Sequence, residues 1–389
     1  MQRRTFVFNA AALAAGLGLA ACRPPDRPQL TVQFLERSIP PQLIKVFRKQ
    51  LEQPITLNFE ASAQLIALFA QLKQWQSDSA APPLWRRWLP WLNDAPADLI
   101  KTADWLTLSD YWLTSAVQQK LVQPIEITDT PAWQTFPKDL QQLMRRNNEG
   151  ELDNRAPIYG APYRVQSLML VYHRSFTEQV GQQPDSWADL WRPELRGRIA
   201  LPNHPQLLLG IVLKSLGYSI NQGDNLDIEQ VKTQLSALHR QIKVYDSSTY
   251  LKALINEDVS LAVGWSSDIL ATLSRYPQLR AVFPPEGSIL SCDLWVRPIR
   301  AEALAPESLS QQWINFCWQP AVATQISLSS RGFSPLFLGQ SKRPPALQTS
   351  QNLPNPKSLA NSEFLQPLSA NRKAIYDKLL NVLKVDQTG

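Results

Sequence analysis

From Gln29 the apolar positions follow strand spacing and then helical spacing, in alternation. Leu30 to Leu35 reads as a strand. Pro41 to Gln50 reads as an amphipathic helix opened by Pro40-Pro41, since proline is tolerated in a first helical turn. A second strand, Ile55 to Phe59, and a long helix, Leu65 to Trp75, repeat the pair. Such alternation predicts parallel α/β layers. Residues 77 to 97 interrupt it. There Trp85, Trp88 and Trp91 recur every three residues beside Arg86 and Arg87, and Pro90 prevents a long helix. This insertion reads either as a loop whose tryptophans cap a domain or as an amphipathic turn facing lipid or a partner.

The pattern resumes with a turn at Asp98 to Ile100. The stretch Thr107 to Tyr111 then opens a helix running to about Lys120, and Leu121 to Ile125 closes that unit. Tyr159 to Tyr163 leads into a strand-like run, Ser167 to Tyr172, and a fresh α/β pattern begins at Ser186. It ends in Phe283 to Val296, which alternates apolar and small residues as a half-buried strand does, yet carries a carboxylate, Asp293. Tyr159 to Arg164 and residues 291 to 296 are the two predicted crossings between domains. A pair of lobes joined in this way hinges around a ligand held in the cleft.

The chain has 389 residues, beyond the size at which one core keeps growing, so two domains are expected. Its formal charge of +6 includes Arg3 and Arg4; without them 37 basic side chains face 33 acidic ones, or +4. That balance, with no Lys/Arg run, argues against nucleic-acid binding.

The first residues change the picture more. Gln2-Arg3-Arg4-Thr5-Phe6-Val7 is a twin-arginine start, and an Ala/Gly-rich run, Phe8 to Ala21, is too short to span a bilayer. It ends in Leu19-Ala20-Ala21-Cys22, which resembles a lipobox, with cleavage before a lipidated Cys22. A proline-rich tether from Arg23 to Pro28 follows. The order of these features favours an export signal over an ordinary buried first helix. It implies a body held by lipid on the periplasmic side of an inner membrane. The other two cysteines, Cys292 and Cys317, are expected as buried free thiols, although an oxidising compartment permits a disulfide.

Ser186-Trp187-Ala188-Asp189-Leu190-Trp191-Arg192-Pro193-Glu194-Leu195-Arg196-Gly197 is very similar to a segment of the bacterial spermidine/putrescine-binding proteins of ABC importers. Leu216-Gly217-Tyr218, Leu261 to Trp265 and Pro285-Glu286-Gly287-Ser288-Ile289 match that family's later motifs in order, and the likeness runs from about Leu30 to Val385 outside the insertion. The resemblance implies an α/β, two-lobed type II periplasmic-binding-protein fold with a ligand cleft between the lobes, feeding solute to a membrane permease and its ATPase. Lobe 1 is then 30–161 with 294–338, and lobe 2 is 162–293 with 339–389. They follow a signal peptide, 1–21, and a tether, 22–29. The implied protein is a monomer and not an enzyme, and it carries neither cofactor nor metal.

Carried over position by position, the likeness places Ser109 and Tyr111 on a ligand-contacting loop at a helix start, and Trp265 on a stacking tryptophan. It places Asp293 on an amine-gripping carboxylate and Gln366 on a glutamine near the ligand, and puts Phe333 where the family has tyrosine. An ammonium in a closed cleft needs a charge partner and gains from an aromatic face. Other positions depart: His204 and Leu207 stand in place of an acidic pair, Ser291 in place of a tryptophan, and Leu35-Glu36-Arg37-Ser38 in place of Trp-Thr-Glu-Tyr. Glu36 is a conjectural replacement carboxylate. The ligand is therefore a polyamine, a shorter amine or another polar solute.

Plainer roles compete at each position. Trp265 also reads as a core residue, Asp293 as a cap or hinge acceptor, Tyr111 as packing on its own helix, and Arg164 as either an anion clamp or a solvated arginine. Enzyme chemistry has little support. Gly264-Trp265-Ser266-Ser267-Asp268 lacks the final glycine of a nucleophile elbow, and His173, His204 and His239 lack metal-ligand spacing. No phosphate-cradling glycine loop occurs. A ferric-ion binder of the same fold would be expected to carry adjacent tyrosines, which are absent. A sensor lipoprotein that has lost transport also fits.

Overall fold

The computed structural model describes residues 29–77, 102–223, 226–299, 307–340, 343–348 and 354–385. The export signal, Cys22 and all of the Trp-rich insertion except Ser77 lie outside the described residues. The first two strand–helix pairs form as β1 (Gln29–Leu35), α1 (Pro41–Gln50), β2 (Thr56–Ser62) and α2 (Leu65–Ser77). Then β3 (Trp105–Ser109) runs directly into α3 (Asp110–Gln118), with the Ser109 hydroxyl accepting from the Tyr111 N–H as a cap. This helix stops short of Lys120, which takes a left-handed φ of 53°.

After β4 (Val122–Gln123), α4 (Pro131–Thr135) and α5 (Lys138–Leu143), the chain enters the thirteen-residue β5 (Ala161–His173). A second α/β series follows: α6 (Arg174–Val180), β6 (Ile199–Leu201), α7 (Pro205–Ser215), α8 (Ile228–His239) and β7 (Ile242–Tyr245). It continues through α9 (Tyr250–Ile255), β8 (Leu261–Trp265), α10 (Ser266–Leu273) and β9 (Leu279–Val282) to β10 (Ile289–Pro298). Beyond lie α11 (Glu307–Cys317), α12 (Pro320–Ser330), the short β11 (Glu363–Phe364) and a last helix, Ala370–Val385.

The main strand order is β2-β1-β3-β10-β5-β8-β6-β7. The outer strands on each side pair in parallel, as βαβ units require, and the central pair β10/β5 is antiparallel. Residues Ala161 to Ser167 of β5 pair with β10, while Leu168 to Tyr172 pair with β8. The cores divide at the same place. Tyr163, Val165, Leu290, Cys292 and Leu294 belong to one buried cluster, and Leu168, Leu170, Tyr172 and Ile289 to another. Met169 and Val171, on the opposite face of β5, enter a third.

The two best-matched motif segments meet in space. Ser186 Oγ donates to Glu286 Oε1 at 2.6 Å, and Trp187 Nε1 donates to the Gly287 carbonyl at 2.7 Å. Gly287 has φ 91°, and a Cβ there would fall 2.1 Å from the Asn361 carbonyl oxygen, so only glycine fits. This packing anchors the segment that leads into β10.

Candidate functional site

Where the central strands lie side by side, Ser109, Asp293 and Arg164 occupy one row across β3, β10 and β5. Paired residues project to the same face, so the row continues two positions along as Ser291 beside Gln166. Cys292 and Leu294 point the other way, into the first core. Alternation along β10 thus gives a polar face and an apolar face.

Asp293 is fully buried, and Arg164 Nε and Nη2 both meet its Oδ2, at 2.7 and 2.6 Å. Burial pushes the Asp293 carboxyl above the usual range, with Arg164 and then Gln166 pulling it back. Arg164 Nη1 also donates to the Ser330 carbonyl at 3.4 Å, whereas Asp293 Oδ1 ends buried with no accepted hydrogen bond. The expectation that ligand alone meets the Asp293 charge is corrected: Arg164 meets it, drawn there by strand register across 129 residues of sequence. Arg164 is therefore neither solvated nor a free anion clamp.

Asp110, the first residue of α3, adds a second carboxylate. Its Oδ1 accepts from Ser291 Oγ at 2.8 Å, from the Tyr111 N–H at 2.9 Å and from Ser109 Oγ at 3.2 Å. Burial pushes its pKa up to about 6 against those donors, and the neighbouring Asp293 charge adds to the rise. Arg146, buried nearby, has its own pKa lowered to about 10 by burial, with Asp110 opposing that shift.

A third carboxylate, Asp268, lies in the first turn of α10 and is exposed. The surrounding protein still displaces enough water to raise its pKa; Arg164 and then Ser267 offset the rise, and Asp293 adds to it. This turn is tied to β5 by the Ser267 hydroxyl on Gln166 Oε1 and by the Ser167 N–H on Ser266 Oγ at 3.2 Å. Immediately before it, Trp265 ends β8 beside Leu168, half-buried against the second core.

The facing wall is uncharged. Tyr111 is 52% exposed, and its ring meets that of His204 edge to face, with centroids 4.7 Å apart. His204 caps α7, its Nδ1 accepting from the Leu207 N–H at 3.4 Å, and burial holds its pKa below the ordinary value. Leu207 is buried.

Three expected residues stand apart. Phe333 is fully buried in the first core, and its backbone pairs with Val165, so its ring is packing, not cleft wall. Glu36 is exposed in the turn after β1, and among the described ion pairs and hydrogen bonds it does not join Asp110, Asp293 or Arg164. Gln366 is half-buried, its N–H donating to Asn221 Oδ1 at 2.9 Å. Residues not foreseen as ligand contacts are Asp110, Gln166 and Asp268. The run Ser266-Ser267-Asp268 after Trp265 signals a helix start, and Asp110 sits inside the expected Ser-Asp-Tyr loop. Cys292 and Cys317 are buried free thiols. A surface cavity of about 610 Å³ opens elsewhere, between Glu126–Ala132 and Ser308–Gln319, away from this polar row.

The model of the family described as bacterial extracellular solute-binding protein matches residues 94–357. The spermidine/putrescine-binding periplasmic protein of Escherichia coli is 22% identical over 376 residues, 96% of this chain and 97% of its own. The putrescine/cadaverine-binding protein of Pseudomonas aeruginosa is 24% identical over 64% of this chain and 73% of its own. Among solved structures, the spermidine/putrescine ABC transporter substrate-binding protein PotD of Streptococcus pneumoniae superposes with a TM-score of 0.69 at 21% identity. That match covers 92% of this chain and 98% of that one. The PotD lipoprotein of Treponema pallidum gives 0.61 at 16% identity, over 91% and 99%. These likenesses establish the two-lobed fold.

Two outcomes test the electrostatics. Arg164→Met, which strands a buried carboxylate, is expected to lower stability by about 3–5 kcal/mol in urea titration, and Arg164→Met/Asp293→Leu to regain most of it. Equal losses in both would show that the pair's charges do not matter. For Asp110 the folded pKa lies above the unfolded 3.8, so its contribution is fully present below about pH 4 and is lost as pH rises through about 6. Asp110→Asn should therefore gain about 2.4 kcal/mol relative to wild type between pH 4 and pH 7.5. Parallel stability profiles over that range would contradict this.

Proposed function

We propose, for a chain that belongs to the bacterial extracellular solute-binding proteins, that it is the solute-binding subunit of an ABC importer and captures a small organic amine. Putrescine and spermidine are the first candidates, by analogy with what the relatives are named for. The observation that carries this reading is the gathering of Asp268, Asp110 and Asp293 beside the Trp265 face where β5 and β10 cross. Three carboxylates whose pKa values are raised by desolvation, with the Asp293 charge adding to the rise at the other two, gain from a cation, and an aromatic face adds to its hold. Ser109 supplies a hydrogen bond, and Tyr111 with His204 forms the facing wall. The lobes divide where the cores divide, near Gln166–Ser167 and near Leu290, and close over the solute without chemistry on it. Delivery is to a membrane permease with its ATPase, and the binding protein acts as a monomer.

Export through the twin-arginine signal and anchoring at Cys22 complete the proposal, on the strength of Arg3-Arg4, the short apolar run and Leu19-Ala20-Ala21-Cys22. In a bacterial host, Cys22→Ser is expected to move the protein from the membrane fraction to the soluble periplasmic fraction; continued membrane association would remove the anchor from the proposal.

Thermal shift against putrescine, spermidine, amino acids, sugars and ferric citrate tests the ligand class. An amine held at 100 times its dissociation constant should add about 2.7 kcal/mol of stability. Trp265→Ala should weaken the same amine about tenfold. Stabilisation by sugars or ferric citrate, with none by amines, would overturn the ligand class and leave family membership standing.

A further inference from the structure

The Arg164–Asp293 pair carries a further step, which rests on the amine-capture reading above. Asp110 and Asp268 both feel the Asp293 charge, so the three carboxylates form one electrostatic group. Against it lies the Arg164 guanidinium, 2% exposed, with two of its nitrogens on a single Asp293 oxygen. Chemically it does what a bound alkylammonium would do: it sets N–H donors and a positive charge against Asp293. One of three negative charges is thus balanced before any solute arrives. The same cation acts on Asp268, the exposed member, and opposes any ammonium seated there. Arg146 acts on Asp110 in the same sense.

Nothing on the facing wall restores the lost acidity. His204 has its Nδ1 committed to the Leu207 N–H, Tyr111 stacks on it edge to face, and Leu207 is apolar and buried. Among the described residues no carboxylate forms an ion pair or side-chain hydrogen bond with His204. A second or third ammonium reaching that wall would shed water without gaining a carboxylate partner, which disfavours it. What remains available is the exposed Asp268, the hydrogen-bonded Asp110 and the unpaired Oδ1 of Asp293.

We propose that Arg164 is a specificity residue: a resident cation that limits how many ammonium groups the cleft holds, so that the diamine putrescine is favoured over the triamine spermidine. Arg164 acts through the carboxylates, so its signature is the ratio of two affinities and not their absolute size.

Calorimetric titration of the full chain with putrescine and with spermidine, at fixed ionic strength and pH 7.5, tests this. Wild type should prefer putrescine. Arg164→Gln, which releases Asp293, should shift the ratio of dissociation constants at least tenfold toward spermidine, and Arg164→Lys should keep the wild-type ratio. Asp293→Asn leaves the guanidinium unbalanced and, as an isosteric change, tests the idea even where Arg164→Gln fails to fold; it should shift the ratio the opposite way. A wild type that prefers spermidine, an unmoved ratio in Arg164→Gln, an equal shift in Arg164→Lys, or an Asp293→Asn ratio that stays or moves toward spermidine would each overturn the role of Arg164. If amines bind while the ratio stays put, capture stands and only this role falls. If neither amine binds the folded wild type or its folded variants, the capture reading falls and takes this one with it.

Discussion

A buried ion pair joins the two strands on which the chain passes from one core to the other. Asp293 on β10 and Arg164 on β5 are directly opposed, and the ladder shifts register immediately after Asp293. Two charges taken out of water are tolerated only as a pair, so the pairing constrains register more strongly than any apolar contact nearby. Slipping β10 by one residue would turn the carboxylate toward the first core and part the Tyr163 and Trp295 rings, whose centroids lie 4.3 Å apart there. It would also carry Cys292 and Leu294 to the polar face. The rows of Ser109, Ser291 and Gln166 owe their common face to that constraint.

Around the pair, the protein keeps arrangements that oppose its own stability. Asp110 remains ringed by donors, yet burial raises its pKa to about 6. Asp293 Oδ1, Arg146 Nε and Arg146 Nη2 are buried without hydrogen-bond partners. Groups of this kind are few in a folded protein and gather at functional sites, where a ligand completes what the fold leaves incomplete. The cores hold such groups too, at Trp313 Nε1 and Tyr250 Oη, whereas the outer half of β5 is apolar on both faces: Leu168, Leu170 and Tyr172 face one cluster, and Met169 and Val171 another.

Much of the architecture was legible in the chain. The alternation of strand and helix spacing places β1, α1, β2 and α2 within about two residues at most of their ends, because buried parallel strands and amphipathic helices carry local periodicities. The strand β10 showed itself by alternating apolar and small residues, and Trp265 by the helix-start chemistry that follows it. The partner of Asp293 did not show, since register between strands 129 residues apart leaves no local trace. Nor does a lone aromatic between Gly332 and Ser334 reveal which face it takes; Phe333 faces the core because its backbone is clamped on both sides to Val165. Asp110 was hidden by its place in a cap, where an acidic residue is so ordinary at a helix N-terminus that burial alone distinguishes it.

On the proposed reading the polar row makes site and hinge the same place. Asp110 hangs from the β3–α3 junction of the first core and Asp268 from α10 of the third, and each feels the Asp293 charge. On that reading a rotation of one core against the other changes the distance between these two carboxylates, because among the described strands theirs are linked through β10 and β5. Like charges approaching from opposite sides resist closure, and a neutral solute does nothing to relieve that. A cation seated between them reverses the sign of the interaction, and so binds the closed arrangement better than the open one. Since a ligand shifts a conformational equilibrium only by its differential affinity for the two states, charge is what the cleft can use to close. The uncharged Tyr111–His204 contact spans the same gap and adds a fixed amount whatever the solute, which leaves discrimination to the acidic end.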